Sequence, residues 1–151
     1  MENSSDTLFR GITIHAEPEI VFQWLCQMRV APYSYDWIDN FGRTSPQKII
    51  PGLDQLEIGQ KIMTIFDLID FKLDKHLTIR LNKRIPNIFK DIIISYLIVR
   101  EKHQVCRLLV KILVNYPKGI EGVLMRYVLP FGDLVMMRRQ LINFKTLCEQ
   151  V

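Results

Sequence analysis

The chain has 151 residues, is 48% hydrophobic and 24% charged, and carries a net charge of +4. That length suits one folding unit able to bury a sizeable core, and the balance excludes disordered and collagen-like classes. The longest nearly unbroken apolar run, Ile92 to Val99, is far short of the roughly 20 residues that a membrane-spanning helix needs.

The opening MENSSDTLFR is polar and acidic and has no signal-peptide pattern, so a soluble cytoplasmic protein is expected. Cys26, Cys106 and Cys148 are odd in number, show no CxxC spacing and fall on apolar stretches. They read as buried, reduced thiols. Charge is unevenly placed: residues 1–70 hold 5 Lys+Arg against 10 Asp+Glu, and residues 71–151 hold 15 against 6. The basic half carries its charges as singles and pairs, which fits solvated outer faces better than a polyanion-binding run.

In chain order, TLFRGITIH at 7–15 alternates as a first strand. Pro18 then opens a helix, because its missing N–H costs nothing in the first turn. That helix runs to about Met28, with Ile20, Val21, Trp24, Leu25 and Met28 on one face. Residues 29–59 are irregular and rich in Pro and Gly, and carry the aromatic cluster Tyr33-Ser34-Tyr35-Asp36-Trp37; a short helix is expected over 36–41. The cluster reads as a lid on the core or as a pocket wall.

From Gln60 the period becomes two. Ile62, Thr64 and Phe66 mark one strand, Asp67 to Asp70 a turn, and Leu73 to Asn82 the next strand. Ile92 to Arg100 is apolar at every other position on both sides, as a strand covered on both faces would be. After a turn at 101–103, Cys106, Leu108, Val110, Ile112 and Val114 oppose Arg107 and Lys111 in a one-sided strand. Short connections make these an antiparallel meander. A helical turn or two follows over 120–129, with Pro130 interrupting it. From Asp133, a suitable N-cap, to Glu149, the residues Leu134, Met137, Leu141, Phe144 and Cys148 draw one stripe down a long helix. Arg138, Arg139, Lys145 and Glu149 lie off that stripe.

No chemistry-bearing motif stands out. His15, His76 and His103 lie on three separate elements, so no metal site and no cofactor is expected. His76 alternates onto one face with Asp74, Thr78 and Arg80, a polar outer face. The aromatic residues concentrate in the acidic half, which is the reverse of a nucleic-acid-binding surface.

Three stretches resemble a known family: ITIHAEPEIVFQWLCQM, then YSYDWIDN with IIPGLDQLEIGQ, then VMMRRQLINFKTLCE. They are similar to the SRPBCC group of the START-like superfamily, which includes polyketide cyclase-like and pollen-allergen-like proteins. Met28-Arg29-Val30-Ala31-Pro32 stands where members often have Gly-Arg-x-Gly-Trp, and Gly59-Gln60 where they often have Gly-Asp. The resemblance implies a single α+β helix-grip domain over 1–151, with a curved antiparallel sheet wrapped around the C-terminal helix. It also implies a cavity for a lipid, steroid or polyketide-like molecule. The side chains expected to line it are Trp24, Tyr33, Tyr35, Trp37, Phe66, Tyr96, Tyr127, Met137 and Leu141. Two alternatives stand beside a hydrophobic carrier that binds neither nucleic acid nor inserts stably in a membrane. One is a solid-cored interaction module. The other is a cyclase or aromatase-type enzyme using Tyr35, Asp36 or His76 as acid or base.

Overall fold

The computed structural model describes residues 5–30, 33, 46–63, 65–83, 91–115 and 136–150. The expected short helix over 36–41, the helical turn over 120–129, the break at Pro130 and the Asp133 cap lie outside the described residues, as does Leu134. The strands are β1 (Ser5–Ile14), β2 (Lys61–Ile62), β3 (Phe66–Lys72), β4 (His76–Leu81), β5 (Asp91–Lys102) and β6 (Val105–Asn115). They form one antiparallel sheet in the order β1-β6-β5-β4-β3-β2. Helix α1 (Pro18–Cys26) continues as a 3₁₀ turn, Gln27–Arg29. The C-terminal helix, α2, is described over 136–148.

Period-two alternation sets the inner face. Leu8, Ile12 and Ile14 on β1 lie opposite Ile112, Leu108 and Cys106 on β6, which in turn face Ile94, Ile98 and Arg100 on β5. Tyr96 and Ile94 continue the row to Leu77 and Ile79 on β4, and Ile79 to Leu68 on β3. Apart from Arg100, which is exposed, these side chains and those of α1 and α2 make one cluster, with Leu8 and Ile12 only partly buried at its margin.

Several expectations are corrected. Asp67 to Asp70 is not a turn but part of β3; the chain reverses earlier, at Met63 to Ile65, leaving β2 only two residues long. Met63 makes this reversal possible by adopting φ 50. The two aspartates have sheet-face partners instead: Asp67 accepts from Asn82 Nδ2, and Asp70 Oδ2 lies 3.1 Å from His76 Nε2. The next strand begins at His76, not Leu73, which sits 62% exposed in the hairpin turn. The turn between the two long strands falls at His103–Gln104, not 101–103. β5 is covered on one face only, because Leu97 and Val99 point outward and are 43% and 40% exposed. On α1, Ile20 is 40% exposed while Phe22 and Gln27 are buried, so the inward face is rotated from the expected one.

The α2 stripe is present: Met137, Leu141, Phe144 and Cys148 are buried, joined by Gln140 and Leu147. Lys145 and Glu149 do more than stay in water. Lys145 Nζ donates to the Thr13 carbonyl at 2.9 Å and to Glu149 Oε1 at 2.6 Å, while the His15 N–H donates to the same Glu149 oxygen at 2.8 Å. This clasp ties the end of α2 to the end of β1. Burial alone would raise the Glu149 pKa, but the bonds from Lys145 and His15 outweigh it and bring the value to about 2 from an ordinary 4.5. A depressed carboxylate stabilises the fold fully above its unfolded value and loses that contribution as pH falls through its folded value. Glu149→Gln is therefore expected to be less stable than the native chain at pH 7, in denaturant titrations. The difference should shrink below about pH 4.5 and be gone near pH 2.

A second carboxylate acts at the same end of the sheet, where Ile14 on β1 lies opposite Cys106 on β6. Glu17 is the N-cap residue of α1, but its side chain makes no capping bond. Its Oε1 accepts the Gln104 N–H at 2.9 Å and its Oε2 accepts from Arg100, with His103 Nδ1 at 3.3 Å. The bond from the Gln104 backbone lowers its pKa most, with Arg100 adding to it against burial. The tip of the β5–β6 hairpin is thus tied to the start of α1.

Candidate functional site

Buried polar groups in an apolar core need partners, and two glutamines stand out there. Gln27 and Gln140 are both buried. Gln27 is held by strong bonds: its Nε2 donates to Tyr33 Oη at 3.0 Å and the Lys48 carbonyl at 2.9 Å, and its Oε1 accepts the Ile50 N–H at 2.8 Å. Tyr33 Oη in turn donates to the Pro46 carbonyl at 2.6 Å. This amide staples segment 46–50 to the end of α1.

Gln140 is placed differently. Tyr96, on the inner face of β5, donates its hydroxyl to Gln140 Oε1 at 2.8 Å. The Gln140 Nε2 faces two thioethers, Met28 Sδ at 3.7 Å and Met63 Sδ at 3.8 Å. Thioether sulfur is a weak, polarisable acceptor, and both sulfurs lie beside this amide between sheet and helix. A row of rings lies alongside: Trp24 meets Tyr33 edge-on at 6.1 Å, and Tyr33 lies 5.5 Å from Phe144. Asn143 Nδ2 donates to the Tyr33 carbonyl at 2.8 Å. Tyr33 and Met63 both have left-handed backbone, φ 55 and φ 50. Such conformations are unfavourable for bulky residues and persist where the surroundings enforce them.

Of the residues expected to line a cavity, Trp24, Tyr33, Tyr96, Met137 and Leu141 are brought together in the core, and Phe66 packs against it. Tyr35, Trp37 and Tyr127 lie outside the described residues, as does Asp36. His76 is on the outer face, beside Asp70, where its alternation with Thr78 and Arg80 places it. Gln27, Met63, Gln140 and Asn143 were not singled out from the sequence, and Met28 was read only as part of the apolar face of the first helix. Gln140 had a signal: it falls three residues after Met137 and four before Phe144, a polar residue inside an apolar stripe.

The thiols are poorly suited to nucleophilic chemistry, which runs through the thiolate. Burial pushes Cys26 and Cys148 up to about 12 and raises Cys106, whose Sγ donates to the Ala16 carbonyl at 3.2 Å. Among the described residues no three His, Cys, Asp or Glu side chains group as a metal site, and no helix is long and apolar enough to cross a membrane. Two surface depressions are lined by described residues. One of about 360 Å³ lies between Gln23 and segment 49–54. The other, of about 260 Å³, lies between β1 and α2.

No family model and no curated protein matches the sequence. The fold, however, is shared with solved structures. The Zhui aromatase/cyclase from a Streptomyces species superposes with a TM-score of 0.62 at 10% identity, over 97% of this chain and 94% of that one. The di-domain aromatase/cyclase BexL gives 0.65 at 12% identity over 97% of this chain, which spans 51% of that protein. Norcoclaurine synthase from Thalictrum flavum gives 0.59 at 7% identity, over 100% of this chain and 98% of that one. Identities this low establish a common architecture and leave the chemistry to the side chains.

Proposed function

We propose that this helix-grip domain binds a hydrophobic small molecule bearing a carbonyl or hydroxyl oxygen, between its sheet and α2, with that oxygen at the Gln140 amide. The observation that carries this reading is the Tyr96–Gln140 bond, which joins the inner face of the sheet to α2 beside the Trp24, Tyr33 and Phe144 rings. A ligand oxygen that reaches this pair can exchange hydrogen bonds with the amide and the phenol, which a plain hydrocarbon cannot. Trp24, Tyr33, Phe66, Tyr96, Met137 and Leu141 supply apolar walls, with Tyr35, Trp37 and Tyr127 proposed to complete them. Binding is favoured over acid–base catalysis because, among the described residues, the buried polar side chains besides tyrosine and cysteine are the amides Gln27 and Gln140, which do not titrate. The neighbouring folds agree in kind, since norcoclaurine synthase has been solved with dopamine and hydroxybenzaldehyde. We place the protein in the reducing cytoplasm as a single domain, acting without a cofactor.

The test is a titration of the tryptophan emission with lipids, steroids and aromatic polyketides, alongside native mass spectrometry for a co-purified ligand. A saturable response is expected. Gln140→Leu should weaken a ketone-bearing ligand by about tenfold, equivalent to one hydrogen bond of roughly 1.4 kcal/mol, and leave the matching hydrocarbon unaffected. A panel with no saturable response would put the solid-cored interaction module in its place.

A further inference from the structure

The stretch from Gly52 to Gly59 is built as a flap. Both glycines have left-handed backbone, φ 88 and φ 93, a conformation that glycine adopts without a side-chain penalty. Among the described residues no atom lies within 4 Å of where a Cβ would stand on either, so the backbone turns there in open space. Past Gly59 the chain is fixed to the sheet. The Gly59 N–H donates to the Leu68 carbonyl at 2.7 Å, and the Leu68 N–H to the Gln60 carbonyl at 2.8 Å. Before Gly52 it is fixed by the Gln27 amide at Lys48 and Ile50. Residues 53–58 lie between these anchors and belong to no strand or helix.

Their hold on the body of the protein is weak by comparison. Arg29 Nη1 donates to three carbonyls, Gly52 at 3.4 Å, Leu53 at 3.0 Å and Gln55 at 3.4 Å. One guanidinium nitrogen has two hydrogens for the three, so at least one hydrogen is shared. Gln60 Nε2 reaches the Gln55 carbonyl only at 3.5 Å, and the buried Gln60 Oε1 has no hydrogen-bond partner among the described residues. An unmet buried acceptor costs the closed arrangement free energy. The flap side chains add little. Leu56 packs against the buried cluster but is itself only partly buried, and Ile58 is 63% exposed. Long bonds, an orphan acceptor and little apolar burial mark a segment that opens locally, well short of global unfolding.

The position of the flap gives such opening a use. Arg29 directly follows Met28, and Gly59 stands four residues before Met63. The sulfurs of those two methionines lie beside Gln140 Nε2, at 3.7 and 3.8 Å. The Met63 N–H donates to the Met28 carbonyl at 2.8 Å, so the Arg29 end and the far end of the flap are joined next to the interior amide.

We infer that residues 53–58 form a gate, hinged at Gly52 and Gly59 and latched by Arg29, which opens to admit a ligand to the interior. This rests on the binding reading above, and the experiment separates the two. A latch acts alike on the empty and the occupied protein, so loosening it speeds entry and exit together and leaves affinity almost unchanged. Binding of emodin and of cholestenone to the whole protein is followed by stopped-flow quenching of tryptophan emission, with hydrogen exchange measured in parallel. Arg29→Gln is expected to raise both rate constants at least fivefold and to shift Kd less than twofold. Arg29→Lys, which keeps a cationic donor, should do less, and Leu56→Ala should act in the same direction as Arg29→Gln. In the free protein, Arg29→Gln should speed amide exchange at 53–58 at least tenfold. Exchange in β5 and β6 should stay as it was, which also shows that the variant is folded. Glu57→Gln, an exposed change on the flap, should alter neither rate, and an effect equal to that of Arg29→Gln would remove Arg29 as the latch. Unchanged exchange at 53–58 in Arg29→Gln would do the same. Faster exchange with unchanged ligand rates, or a change in Kd carried by one rate alone, would overturn the gate and leave the interior site standing. No saturable quenching by either compound would sink the binding reading itself, and the gate with it.

Discussion

Phe144→Ala should lower the stability of the protein by about 3–5 kcal/mol, the range for deleting a buried aromatic side chain. Phe144 is wholly buried on the inward face of α2 and stacks on Tyr33 at 5.5 Å. Tyr33 is itself held by Gln27, Pro46 and Asn143, so its ring cannot swing freely into the vacated space. Limited collapse is the condition under which such truncations cost most. Arg139→Ala, on the exposed side of the same helix, should change stability by less than about 0.5 kcal/mol. Urea titrations of both variants give the comparison. Similar losses from the two would mean that α2 is not gripped by the sheet through this face.

The second large effect concerns the Tyr96–Gln140 bond. Tyr96→Phe removes the hydroxyl and leaves the buried Gln140 oxygen short of its phenolic donor, a cost of about 1–3 kcal/mol. Gln140→Leu has the complementary effect on Tyr96. Changing both at once leaves two apolar side chains of fitting shape, and the double variant should be more stable than the sum of the single losses allows. A coupling of at least about 1 kcal/mol is expected for groups in direct contact. Simple additivity in the cycle would show that the bond does not contribute in solution.

Much of the architecture was legible because most strands are one-sided. β6 alternates Cys106 to Val114 against Arg107 and Lys111 without a break, and the structure follows that pattern residue by residue. β3 was misread for a physical reason. A register shift between Leu68 and Asp70 interrupts its alternation, and its two aspartates carry the composition of a turn although they bond across the sheet. β5 misled in the opposite way, since Leu97 and Val99 are apolar yet face outward. The site was only partly readable. Aromatic residues announce themselves by type, whereas the Gln140 amide matters for what surrounds it: Met28 from the end of α1, Met63 from a reversed turn, and Tyr96 from β5. The clasp at Glu149 was equally hidden, because its partners His15 and Thr13 are more than a hundred residues away in the chain.

The pairing of β1 with β6 has a kinetic consequence. Ser5 lies opposite Asn115 and Ile14 opposite Cys106, so the first strand cannot dock until nearly the last strand exists. During synthesis at about 5–20 residues per second, β1 waits through the making of some hundred residues with its apolar row uncovered. Closing so long a loop is slow relative to local hairpins. The β3–β4–β5–β6 meander, by contrast, joins neighbours in sequence and can assemble first. Folding should then show a fast phase for the meander and a slower one for the arrival of β1, with α2 locked only afterwards by the His15–Glu149–Lys145 clasp. A chain in which the first strand is held back would leave one long edge of β6 open, which is where aggregation during expression would begin.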